Sequence, residues 1–136
     1  MKIMSIKSFR DLEVYQESYS NCIFIHMNVI TKLPPEEKYD LADQLRRSTK
    51  AVPRLIAEGY SKRHQKFGFQ KYLDDAMAES NETIVGLEMC RDLYLKRMNG
   101  IDLEKLIDNY DKASRQIYNL AKTWTKFKDS RRERYS

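Results

Sequence analysis

The stretch from Leu45 to Lys66 reads LRRSTKAVPRLIAEGYSKRHQK, and most of its polar positions are cations. Arg46, Arg47, Lys50, Arg54, Lys62, Arg63 and Lys66 face one acid, Glu58, for a local charge of +6 in a chain that totals +5. The positive charge is therefore concentrated, and the remainder sums to −1. Lys and Arg at this density can neutralise phosphates without reading bases. A charge run on a helix can also be no more than a solvated face, so both readings stand. No RRM, KH, zinc or homeodomain signature accompanies the cations, so nothing in the pattern separates RNA from DNA or promises sequence-specific contacts.

Other chemistry finds little support. A dimetal centre in a helical bundle needs Glu-x-x-His on two helices, and no Glu here has a His three residues later. Asp75, Glu79 and Glu82 form an acidic stripe, but it faces away from the apolar seam of its helix. Some small helical ribonucleases place an Arg and a His several residues apart on one helix; His64 directly follows Arg63, and His26 falls on an apolar side. Cys22 and Cys90 make neither CxxC nor zinc spacing and sit at apolar helix positions, as buried thiols do. There is no Gly-rich phosphate loop and no nucleophile arrangement. The expectation is a protein with no catalytic residues, no metal and no cofactor.

The elements that position the cations follow from spacing. Ser8 with Asp11 forms a capping-box start, and Leu12, Tyr15, Tyr19, Ile23, His26, Ile30 and Leu33 then recur every three or four residues. Pro34-Pro35 ends that helix. Pro35, Glu36 and Glu37 suit the first turn of a second helix. Its apolar stripe is Leu41, Leu45, Ser48, Val52, Leu55 or Ile56, and Gly59. Arg46, Arg47, Lys50 and Arg54 lie roughly opposite. Pro53 interrupts this helix where it removes a hydrogen bond to Thr49, which predicts a kink. A third helix carries Leu73, Ala76, Met77, Ser80, Ile84 and Leu87 to about Leu95. Asn99-Gly100 closes it, and Asp102 caps a fourth. That helix repeats Leu103, Leu106, Tyr110, Ala113, Ile117, Leu120 and Trp124, the seam of a bundle.

Four long helices with short links predict an all-α, antiparallel up-down-up-down four-helix bundle over residues 1–128, with a loose basic tail over 129–136. At 136 residues one domain with its own core is expected. Four glycines and three prolines are too few for a many-turned β fold. The start, MKIMSIKSF, is too short in apolar residues for a signal peptide, and no stretch approaches a membrane span, so a soluble cytoplasmic protein is expected.

Three segments, in order, resemble one known family. They are FRDLEVYQ (9–16), LPPEEKYDLADQLRRS (33–48) and AVPRLIAEGYSKR (51–63). They are similar to the four-helix-bundle proteins encoded in intervening sequences of bacterial large-subunit ribosomal RNA genes, which share their fold with retroelement accessory variability determinants. Arg54-Leu55 departs from the Ser-Asn often found there. Glu82 matches a family glutamate, while a second falls on Ile84. The resemblance implies a pentameric ring with a central channel and a basic surface. It also implies nucleic-acid binding and, for the retroelement relatives, a reverse transcriptase as protein partner.

Two functions follow as expectations. One is a non-enzymatic, sequence-tolerant nucleic-acid-binding oligomer, with RNA or DNA on Arg46, Arg47, Lys50, Arg54, Lys62 and Arg63. The other is a protein-interaction scaffold whose charges hold a homopentamer together. From Tyr72 to Cys90 there is no basic residue, so an acidic face of helix three would meet the basic helix two of a neighbour. Asp75, Glu79, Glu82 and Gly86 are the expected interface, with Gly86 on the outward side. The Pro53 bend would fit either a ring wall or the monomer's own core.

Overall fold

The structure is a computed structural model that describes the backbone of residues 5–135 and side chains as far as Thr125. Four helices account for most of it: α1 (Glu13–Asn28), α2 (Leu41–Ser61), α3 (Gly68–Leu93) and α4 (Leu103–Tyr135). Each packs on the next, and α4 returns to α1. The directions follow from matched pairs. Along α3 and α4, Arg91 meets Glu104, Ser80 meets Ser114 and Phe69 meets Trp124, so one helix rises as the other descends. Thr83 with Ser48, and Tyr60 with Phe69, give the same reversal between α2 and α3. Helix α1 packs on α2, with His26 against Thr49, and the two helices line one groove together with Phe9 from the turn before α1.

The expected stripe of α2 is the buried one. Leu41, Leu45, Ser48, Val52, Ile56 and Gly59 face inward, and Ile56 rather than Leu55 takes the core position. Burying each such Leu, Ile or Val contributes roughly 1.5–3 kcal/mol. On α4, Leu103, Leu106, Tyr110, Ala113, Ile117 and Leu120 form the inner row as spaced. Asp102 caps α4 by accepting from the Lys105 amide at 3.0 Å, and Gly100 turns the chain at φ +85°. The buried Ser and Thr hydroxyls fill gaps between helices with their hydrogen bonds made. Thr83 Oγ1 lies 2.8 Å from Ser48 Oγ, and Ser80 donates to the Tyr110 carbonyl at 3.0 Å.

Four expectations are corrected. The Ser8–Asp11 capping box forms, but it caps a single 3-10 turn, and α1 starts after Leu12. The core row of α1 is Val14, Ser18, Cys22 and Ile25, while Tyr19 and Ile23 of the expected stripe are half exposed. Helix α1 is apolar on more than one side, and the small buried Ser18 hides the true row. The second helix does not begin at Pro35. Residues Pro35–Glu37 make a separate 3-10 turn, and α2 starts at Leu41, whose amide donates to Glu37 Oε1 at 3.3 Å. Gly86 does not face outward: a Cβ there would lie 2.7 Å from Leu45 Cδ2, so its hydrogen is what lets α2 and α3 close together. Helix α4 keeps helical backbone to Tyr135. Pro53 lies inside α2, buried, and the helix continues past it.

Candidate nucleic-acid interface

Helix α2 carries its cations on the surface opposite its buried row, yet the bundle divides them into three groups. Lys50 and Arg54 are exposed and lie along the groove between α1 and α2, beside Tyr19, Ile23 and Met27. Arg46 leans the same way and donates from Nη2 to the Lys38 carbonyl at 3.0 Å, so it pins the turn before α2. Arg47 leans toward α3. Its guanidinium is 3.3 Å from Asp43 and its field reaches Glu79. An exposed i,i+4 pair of this kind contributes only a few tenths of a kcal/mol, about 0.3–0.5, and does not hold Arg47 from other anions.

Lys62 and Arg63 form the third group, at the end of α2. There the chain turns through residues 62–67 into α3. Lys62 donates to the Tyr72 hydroxyl at 2.6 Å and lies 4.8 Å from that ring's centre, with Glu58 at 3.8 Å. The phenol oxygen raises the Lys62 pKa, as does Glu58 more weakly, so the ammonium stays charged. Arg63 stacks on Tyr60 at 4.0 Å and donates to the Tyr60 carbonyl at 2.8 Å. Lys66 lies 5.4 Å from the ring of Phe67. Three cations in five residues thus each rest on an aromatic ring, contacts worth about 0.5–1 kcal/mol where exposed.

This turn is tightly built. Gly68 packs so close that a Cβ would sit 2.0 Å from the Lys62 carbonyl oxygen. Phe67, the residue before it, is left-handed at φ +59° and its side chain is 64% exposed. A bulky residue in that conformation costs roughly 1–2 kcal/mol. The same end of the bundle holds the aromatic cluster Tyr60, Phe69 and Trp124. Helix α4 continues past Trp124 from that end, and its sequence there holds Lys126, Lys128, Arg131, Arg132 and Arg134 against Asp129 and Glu133.

The residues expected to bind nucleic acid are therefore not one patch. The sequence reading named Lys62 and Arg63 but not the rings beside them, Tyr72 and Tyr60, nor Phe67 beside Lys66. The alternation of basic and aromatic residues in YSKRHQKFGFQKY, 60–72, was the available signal. Of the expected interface, Asp75 and Glu82 are exposed and Glu79 is half-buried. Burial raises the Glu79 pKa, and neighbouring Glu82 adds to the rise.

Chemical alternatives have little to work with. Among the described residues no group of three or more His, Cys, Asp or Glu could hold a metal ion. Cys22 and Cys90 are free and buried, and burial pushes the Cys90 thiol up to about 12, far from a nucleophilic thiolate. His26 Nε2 lies 3.1 Å from Thr49 Oγ1, whose hydroxyl bonds the Leu45 carbonyl at 2.5 Å. Burial, then Lys50, lowers the His26 pKa. The ring is held neutral in a packing role. Among the described residues no helix is long and apolar enough to cross a membrane.

No curated protein matches the chain. Residues 10–119 match the family described as 23S rRNA-intervening sequence protein, a span that takes in all of α1, α2 and α3 and half of α4. With four helices in chain order, the QLRR and IAEG segments on α2, and most of the chain inside that match, the protein belongs to the 23S rRNA-intervening sequence protein family.

Proposed function

We propose that this is a non-enzymatic protein that binds nucleic acid with little regard to sequence and works as a closed homo-oligomer, five subunits by family resemblance, in the cytoplasm. The observation that carries the binding half is the basic end of the bundle. Lys62, Arg63 and Lys66 are fixed on aromatic rings there, and the basic last turns of α4 leave from the same end. Cations held in place lose less freedom when they meet phosphate. The exposed ring of Phe67 offers a surface on which an unpaired base can stack, a contact tolerant of sequence. Arg47 extends the cationic surface along α2. In a ring these sites repeat around an axis, and weak contacts add through multivalency. A bend of α2 at Pro53 would let the helix follow the ring wall.

Fluorescence anisotropy with labelled RNA and DNA of several unrelated sequences tests this reading. Comparable affinities across sequences, all weakened by salt, are expected; binding to one sequence alone, or to none, would overturn it.

A second reading is a protein scaffold in which the charges serve subunit contacts only or receive a protein partner. The groove between α1 and α2 favours it, because its apolar side chains are exposed beside Lys50 and Arg54. Nucleic-acid binding that persists only while the ring is intact is expected of the first reading. An intact ring with no salt-sensitive affinity for either polymer belongs to the second.

A further inference from the structure

Two surfaces of this chain are apolar, exposed and oppositely charged at their rims. The first is the groove between α1 and α2, of about 390 Å³, walled by Tyr19, Ile23, Met27 and Pro53. Met27 is 69% exposed there. Lys50 and Arg54 stand at its edge, and neither makes an ion pair among the described residues. The second surface is the outer face of α3. Val85, Met89 and Leu93 are spaced by four and all exposed, so they form one ridge on the helix. Glu82 stands at the N-terminal end of that ridge and Glu88 beside it, again with no ion pair among the described residues. The inner row of α3 is already used, against α2 and α4.

We infer that the α1–α2 groove of one subunit seats the Val85–Met89–Leu93 ridge of the next, with Lys50 and Arg54 meeting Glu82 and Glu88. This rests on the oligomeric half of the proposed function and names the surfaces that half requires. An apolar ridge fits an apolar groove, and the rim charges orient it. The two surfaces differ and lie on different sides of the subunit. The contact is therefore head-to-tail, the kind that closes into rings. It leaves the basic end at Lys62 and Arg63 outside the interface. A nucleic-acid strand is a poorer occupant, because the groove walls are aliphatic as much as aromatic and few polar atoms line them.

Two variants test the pairing, one on each surface: Ile23→Asp in the groove and Val85→Asp on the ridge. Both sites are about half exposed, so each variant should fold, which circular dichroism verifies. Light scattering of the full-length chain at micromolar concentration should find the unaltered protein oligomeric and each variant monomeric. An equimolar mixture should then yield a dimer that neither forms alone, because the ridge of the first variant and the groove of the second are intact. A variant that keeps the oligomer's mass, or a mixture that stays monomeric, overturns the pairing while the oligomer stands. An unaltered protein that is itself monomeric overturns the oligomer and the pairing together. Loss of nucleic-acid binding in Ile23→Asp at unchanged mass would assign the groove to nucleic acid and overturn the inference as well.

Discussion

Tyr110 sits at the centre of the bundle, fully buried, and its hydroxyl has no hydrogen-bond partner among the described residues. Burial pushes its pKa far above the usual tyrosine range, so it remains a neutral phenol. An unmade buried hydrogen bond costs about 1–3 kcal/mol. Tyr110→Phe should therefore raise the urea midpoint, and a clear fall would show that a water or side chain satisfies the hydroxyl. Gly68 is the opposite case. Its hydrogen faces the Lys62 carbonyl, so Gly68→Ala should cost roughly 1–3 kcal/mol by overpacking and loosen the basic turn. His26 gives a pH dependence. Its folded pKa is lowered by burial, then Lys50, with Arg46 adding a smaller repulsion and a backbone bond to Arg46 opposing. The folded state then takes up the proton less readily than the unfolded chain. Stability from this site is full above about pH 6.5 and declines as pH falls below that. Urea midpoints at pH 7.5 and 5.5 should differ more for the native protein than for His26→Gln.

The helices show what spacing can and cannot reveal. Helices α2 and α4 were legible because each has one apolar row with charges opposite, and the structure buries those rows. Ile117→Ala on α4 should cost about 2–5 kcal/mol of unfolding free energy by calorimetry or denaturant titration. Helix α1 was not legible in the same way. It is apolar on a core side, Val14, Cys22 and Ile25, and on a groove side, Tyr19, Ile23 and Met27. Periodicity alone cannot say which of two apolar rows faces inward. Gly86 was misplaced for a related reason: a residue without a side chain has no polarity to read, and its role is the closeness of Leu45. The basic residues of the site were visible as a run, but their division was not. Sequence spacing does not show that Arg46 turns back to Lys38 or that Arg63 lies on Tyr60.

At the scale of the whole molecule, charge and aromatic support converge on one end of the bundle, while an apolar groove and ridge lie on its sides. On the proposed function, that separation would let one chain bind phosphate and assemble without the same side chains serving both. Charge alone did not reveal it, because Lys50, Arg54, Lys62 and Arg63 look alike in a sequence. The measurement that bears most directly on nucleic-acid binding is its salt dependence, for the native protein and for Lys62→Ala with Arg63→Ala. Each neutralised phosphate releases counterion, so log affinity falls with log salt at about −0.9 per contact on duplex DNA. The double substitution should keep the native particle mass, weaken binding to all sequences alike and flatten the slope by about 2. An unchanged slope and affinity in a folded, fully assembled double variant would contradict the assignment of nucleic-acid binding to this end.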